Sequence, residues 1–300
     1  MLRRLADKAF NNAYLLLTLL AFFWAGNQIL GRAVAGHVPP VALSFLRWSL
    51  ATVFLFPFAL PYLKRYWPVV RANWKFLAVL GIIGGGAFNT LQYIGLNFTT
   101  ALNGLILNST APILIALSCV VLFKDKMTLK QVAGTVISLL GVLIVISRGD
   151  LDVLLHMTLN RGDLLILFGM LITGIYTAYL RLRPNIHWVT FLFAQFLASG
   201  LFNLPLVIIE STVFGLTLQP TLVTFLAVMY VSIFPSIIGY ILYTRGVELI
   251  GGVRAGIFLH LVPFFGALMA IGLLGEPLAA FHIAGFVLIL TGVAMTSRKP

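Results

Sequence analysis

Charge is missing from long stretches of this chain. Residues 76–123 contain no Asp, Glu, Lys or Arg, and neither do 9–31, 131–147, 164–180, 184–209, 211–244, 255–275 and 277–297. A helix needs about 20 apolar residues to cross roughly 30 Å of hydrocarbon. Each window therefore predicts one span, except 76–123, which holds two, joined at Asn97-Phe98-Thr99-Thr100. Residues 33–63 carry only Arg47 and predict a further span from Pro40 to Pro61. The expectation is an all-α membrane protein of ten transmembrane helices. A β-barrel would show short alternating strands instead. Composition agrees: 60% of residues are apolar and 9% charged, whereas a soluble chain is about 25% charged. Disorder needs low hydrophobicity and high charge, so it is excluded too.

The 20 Lys and Arg exceed the 8 Asp and Glu by a net +12. In a soluble chain that balance suggests nucleic acid, but the positions of the charges argue otherwise. With the N-terminus in the cytoplasm, segments 1–8, 64–75, 124–130, 181–183, 245–254 and 298–299 are cytoplasmic and hold 16 of the 20 basic residues. Arg32, Arg148 and Arg161 fall outside, and Arg47 lies within a span. This asymmetry is the positive-inside pattern. It places both termini in the cytoplasm and makes the lipid bilayer, not nucleic acid, the partner. The first span is too long for a signal-peptide core and has no small-residue cleavage site. The absence of signal and retention segments fits a multi-pass protein of a bacterial inner (plasma) membrane. Cys119, the single cysteine, leaves no internal disulfide and no thiolate metal site.

The two halves repeat. At an offset of 151, Pro112 meets Pro263, Ala133-Gly134 meets Ala284-Gly285, and Gly141-Val142 meets Gly292-Val293. Phe76-Leu77-Ala78-Val79 returns as Phe225-Leu226-Ala227-Val228 at an offset of 149. The predicted organisation is a first five-helix repeat at 1–148, an external linker at 149–161, and a second repeat at 162–300. Five spans is an odd number, so the second copy crosses in the opposite sense. Two inverted five-helix repeats are the architecture of many secondary transporters, with substrate held near the midplane between the halves.

Residues Asn103 to Val145 and their copy Arg254 to Thr296 share a helix with a central Pro, an acid in the next loop, and an Ala-Gly…Gly-Val helix. Trp24-Ala25-Gly26-Asn27, Phe45-Leu46-Arg47 and Leu274-Gly275-Glu276 accompany them. In this order the chain resembles the EamA family of the drug/metabolite transporter superfamily. The resemblance implies a ten-helix secondary transporter, mostly an exporter of amino acids and other small metabolites, of the aromatic amino-acid exporter type.

Polar residues within spans are costly unless they face a cavity or one another. Trp24, Asn27 and Gln28 lie on one helical face, as do Asn89, Gln92 and Tyr93. Asn108 and Ser109 precede Pro112 by about one turn. Pro112 cannot donate to the Asn108 carbonyl, and Pro263 likewise frees that of Leu259 beside His260. Both prolines are hinge candidates. Tyr176/Tyr179 and Tyr240/Tyr243 form i, i+3 pairs. Together these residues predict a neutral cavity lined by amides and aromatics, suited to a zwitterion with an apolar or aromatic side chain, or to a flat heterocycle. Packing and helix bridging are the competing readings for each member. His260 reads as either a proton carrier or a hydrogen bond across helices. Arg47 and Arg254 lie close to predicted span ends. Either could hold a substrate carboxylate, but snorkelling or pairing with Glu248 is the preferred reading.

No carboxylate falls mid-span, which argues against a carboxylate proton relay. No nucleotide-binding, Gly-x-Ser-x-Gly or His-Glu-x-x-His motif is present, so neither ATP drive nor an enzyme is expected, and no cofactor or metal. The alternatives are export of purines or nucleobases, export of cationic drugs, and a channel-like facilitator. Gly134/Gly141 and Gly285/Gly292 present small faces, which pack either within one chain or in a homodimer.

Overall fold

The computed structural model describes residues 10–34, 38–99, 101–156, 158–274 and 278–297. The expected termini, at 1–9 and 298–300, and the Gly275-Glu276 part of the loop motif lie outside the described residues. The regular structure among the described residues is helical, with α1 Ala13–Ala33, α2 Pro40–Ala72 and α3 Trp74–Gly95. Next, α4 is built of Ala101–Asn108 and Ala111–Phe123, and α5 is Leu129–Ile146. A short connector, Leu151–Leu155, leads to α6 Arg161–Tyr179, α7 Trp188–Thr212 and α8 Leu222–Ile250. The ninth, α9, runs Gly252–Ile257, a 3₁₀ turn Phe258–His260, then Leu261–Leu274; α10 is Ala280–Ser297. Among the described residues nine helices are long and apolar enough to cross a membrane, and the apolar stretch Ala280–Thr296 is shorter. Val53, Phe58 and Val121 are more than 60% exposed on the outside of the bundle, where lipid rather than water is the favourable neighbour.

One span runs on further than expected. The helix α2 continues past Pro61 to Ala72, with Pro57, Pro61 and Pro68 inside it. That carries Lys64, Arg65 and Arg71 on the helix beyond its apolar stretch. Trp67 and Trp74 are both more than half exposed there, as aromatic side chains are at a membrane interface.

The packing repeats as the sequence does. Helix α5 lies on α10 and α2 on α7; α4·α6 is matched by α9·α1, α3·α6 by α8·α1, and α3·α7 by α8·α2. Local breaks repeat too. A π-turn interrupts α3 at Ile82–Ala87 and α8 at Ser232–Ile238. The first coincides with Gly84-Gly85-Gly86, whose lack of side chains gives little resistance to local unwinding. The second contains Pro235, which lacks an N–H and crowds the preceding turn. The α4 and α9 breaks, at Ser109–Thr110 and Phe258–His260, also correspond.

The paired glycines hold α5 against α10 within one chain. A Cβ on Gly141 would come 2.7 Å from the Gly285 carbonyl oxygen, and one on Gly134 would come 2.7 Å from that of Gly292. Both are far inside van der Waals contact, so only glycine permits this backbone approach. The glycine faces are thus consumed inside the chain and are not left over for a homodimer.

Candidate functional site

A cavity of about 750 Å³ of atom-free space, part of it open to the exterior, sits between the two repeats. Its walls come from α1, α2, α3 and α4 on one side and α6, α8 and α9 on the other. Of the residues singled out from sequence, Trp24, Asn27, Gln28, Asn89, Gln92, Asn108, Ser109, Tyr240 and Pro263 line it. Phe88, Leu105, Met170 and Thr173 add apolar and hydroxyl surface.

Arg47 is the wall residue that sequence reasoning placed elsewhere. It lies neither at a surface nor beside Glu248. Its side chain is 2% exposed and belongs to the cavity lining. Its Nε donates to Ser236 Oγ at 2.6 Å, and Nη1 to Asn89 Oδ1 at 2.8 Å, to Tyr93 Oη at 3.0 Å and, at 3.5 Å, to Asn27 Oδ1. The guanidinium carbon lies 4.9 Å from the centre of the Trp48 ring. All these partners are neutral, and among the described residues no carboxylate pairs with Arg47. Glu248 is taken by Arg183 at 2.8 Å and Arg245 at 2.9 Å. Glu210, also buried, accepts the Val41 and Ala42 amides at 2.8 and 2.7 Å and caps the start of α2. A charged side chain buried inside a membrane-spanning bundle is costly, so this arginine, 2% exposed, is held in place by its polar partners. The sequence signal was a lone Arg beside Trp48, about two turns into a span rather than at its rim.

Two amides stand out. Both polar atoms of Gln92 and both of Asn108 are buried without a hydrogen-bond partner. Buried polar groups are nearly always satisfied, so these line the cavity with unused donors and acceptors. Asn89 is fully engaged, donating to the Gly85 carbonyl in the α3 π-turn at 3.1 Å while accepting from Arg47. The two π-turns are also tied to the opposite repeat: Trp24 Nε1 donates to the Pro235 carbonyl at 3.1 Å, and Tyr240 Oη donates to that of Gly84.

The remaining candidates sit beside the cavity. Tyr93 supports Arg47. Tyr176, hydrogen-bonded to Gln195 Oε1 at 3.2 Å, and Tyr243, 2.6 Å from Thr177 Oγ1, join Trp24, Trp48, Phe196 and Tyr240 in an aromatic layer. Tyr179 turns away to Phe123, ring edge to face, at 5.5 Å. Pro112 opens the second segment of α4. His260 stands between Ser109 O at 3.0 Å and Ser138 Oγ at 2.6 Å, bridging α9 to α4 and α5. Arg254 is half-buried on α9, outside the cavity walls.

Past the aromatic layer the chain reaches the basic end. A second cleft enters there, lined by Thr177, Arg181, Arg183, Thr244, Glu248 and Gly252. The Thr177–Tyr243 pair and the aromatic layer lie between this cleft and the cavity. Contacts at the basic end join the repeats: Arg181 pairs with Asp125 through two parallel bonds, and Arg245 reaches Asn11 and the Phe10 carbonyl. The Arg181 guanidinium holds the Asp125 carboxyl below its usual range.

Comparison with known proteins fits this geometry. A crystal structure of a chain 18% identical aligns over 95% of this chain and 96% of its own, with a TM-score of 0.77, and carries the fold alone. The uncharacterized transporter YyaM of Bacillus subtilis is 26% identical over 294 residues, covering 95% of this chain and 93% of that protein. An uncharacterized transporter of Archaeoglobus fulgidus is 26% identical over 290 residues, covering 96% of this chain and 98% of that protein. Residues 11–147 and 160–298 each match the pattern of one family. With both halves so matched, the chain is a multi-pass membrane protein that belongs to the EamA-like transporter family.

Proposed function

We propose that this protein is a secondary transporter of the bacterial plasma membrane that moves amino acids, neutral or aromatic, and related small metabolites by alternating access. In this reading ten helices cross the membrane as two inverted five-helix repeats, 1–148 and 162–300, joined by an external linker, with both termini cytoplasmic. The observation that carries it is the cavity between the repeats, walled by both, with matching backbone breaks in α3, α8, α4 and α9 on its sides. Breaks at equivalent places in two halves allow either half to adopt the conformation of the other. The cavity and the basic-end cleft, separated by one aromatic layer, are what two alternately opened vestibules require. Helix α10, at 18 residues, is about 27 Å long, enough for a tenth crossing.

The test is flux in proteoliposomes. Labelled leucine and phenylalanine should enter, and unlabelled substrate on the far side should accelerate them, because a carrier shows trans-stimulation. Uptake without trans-stimulation would make the protein a channel-like facilitator. Purines are the second reading, favoured by the unpartnered Gln92 and Asn108 amides, which match the donor and acceptor edges of a nucleobase. Cationic drugs fit less well, since among the described residues the cavity presents a guanidinium and no carboxylate. A homodimer is compatible with this reading but adds nothing to the cavity, whose walls come from one chain.

A further inference from the structure

Among the described residues the cavity walls carry one full charge, that of Arg47, and no carboxylate in them balances it. Arg47 is 2% exposed and donates through Nε and Nη1 to a serine, two asparagines and a tyrosine. Among the described residues Nη2 makes no hydrogen bond, and Arg47 lines the cavity. The charged groups of neighbouring helices are engaged elsewhere. Glu210 caps α2, Asp163 caps α6, and Glu248 and Asp125 are held by arginines at the basic end. A guanidinium steered by four neutral acceptors is fixed in direction without being neutralised, and its planar fork matches a carboxylate. Such positioning is expensive for the apo protein and gains its return only from an anionic group brought in from outside.

We propose that Arg47 is the anion anchor of the transport cavity, and that the molecule carried is an organic acid whose carboxylate accepts from Arg47 Nη2. The rest of the molecule then faces Trp24, Phe88, Met170 and Tyr240, with the unused amides of Gln92 and Asn108 available to an amine or other polar group. An α-amino acid meets all three parts of this wall. So does a 2-keto or 2-hydroxy acid with an apolar side chain, and the shared requirement is the carboxylate. This rests on the transporter reading and narrows its substrate. It also replaces the expectation of an uncharged cavity with one that carries a fixed positive charge.

The experiment uses the whole protein and varies the ligand before the residue. Leucine and phenylalanine, their keto acids, and the methyl ester and carboxamide of each amino acid compete for binding and for counterflow in proteoliposomes. Adenine and a cationic dye serve as non-acid probes. The acids should bind, and loss of the carboxylate should weaken binding about tenfold to a hundredfold, the range of a charge-assisted hydrogen bond. Arg47→Lys, which keeps the charge but not the fork, should weaken the acids while sparing the esters. Arg47→Gln should erase the preference; because that variant can fail to fold, its monodispersity in detergent is measured alongside, and the ester and amide series on the unaltered protein stands without it. Equal binding of acid, ester and amide overturns the assignment, as does transport of adenine or dye with none of the acids. Either result leaves transport standing. Flux of none of these probes overturns both.

Discussion

At the scale of single residues, the cavity separates groups used for folding from groups held in reserve. Asn89 is both acceptor for Arg47 and donor to Gly85. Asn89→Leu should leave a buried guanidinium donor without its nearest acceptor and lower stability by about 1–3 kcal/mol. Gln92, one turn on, has no partner for either amide atom. Removing an unsatisfied buried polar group is neutral or stabilising for the fold. Gln92→Leu should therefore leave the melting temperature unchanged or raise it, while initial flux of the preferred substrate falls by about tenfold. Thermal melting in detergent and flux on the same preparations check the pair. A Gln92→Leu protein that is destabilised but transports normally would make Gln92 structural. Much of this was legible in sequence: the Asn89/Gln92 spacing and the Trp24/Asn27/Gln28 face do meet in one cavity. Arg47 was not. Distance from a predicted span end is a poor measure of depth when the helix start is itself buried, and here Glu210 from α7 caps α2 at Val41 and Ala42. Nor could spacing tell that Tyr176 and Tyr179, three apart, would part company, because α6 turns Tyr179 toward Phe123.

The elements are held by contacts that periodicity alone does not reveal. The α5–α10 seam depends on backbone approach at Gly141 and Gly285, where each added Cβ would lie 2.7 Å from the opposing carbonyl oxygen. Gly141→Val should force the helices apart and destabilise by about 1–3 kcal/mol, the usual range for overpacking. Gly272, with nothing within 4 Å of an added Cβ, is the matched control, and Gly272→Ala should be near neutral. Heat-induced aggregation in detergent reads both. At the other seam, among the described residues, Glu210 supplies the side-chain acceptors for the buried start of α2, whose own N-cap, Pro39, makes no side-chain cap. Glu210→Ala should cost about 1–2 kcal/mol, in line with lost caps, and Glu210→Gln less, because one acceptor remains. The glycine repeat marked the two small faces in advance and left open whether they met within one chain or between two; the backbone approach of α5 and α10 is the intrachain outcome. The α2–Glu210 contact was hidden because its partners are 168 and 169 residues apart and share no motif.

At the scale of the molecule, the transporter reading requires a barrier between the cavity and the basic-end cleft, and Cys119 can report on it. It is fully buried in α4, where a Cβ on Gly252 of α9 would lie 3.1 Å from its Sγ. Among the described residues the nearest ionic tie between the repeats is Arg181–Asp125, six residues further along the chain in the loop after α4. Asp125 has its carboxyl pKa depressed by Arg181, so the sign of its pH dependence follows. The contribution of the pair is complete above the unfolded carboxylate value of about 4 and is lost only as pH falls through the lower folded value. Closure at this end should thus be insensitive to pH between about 5 and 8. Asp125→Asn removes the charge at every pH. If the tie biases the two repeats toward the closed arrangement, that variant should label at Cys119 with a small membrane-permeant maleimide several-fold faster than the unaltered protein. Substrate that holds the basic end closed should slow both. The effect is bounded by population shift, since a tie of about 1 kcal/mol changes the open fraction only about fivefold. Labelling unchanged in Asp125→Asn would mean that the aromatic layer of Tyr176, Tyr240 and Tyr243 closes this end by itself. Tyr243→Phe, which removes the hydrogen bond to Thr177 without removing the ring, would then be the variant that opens it.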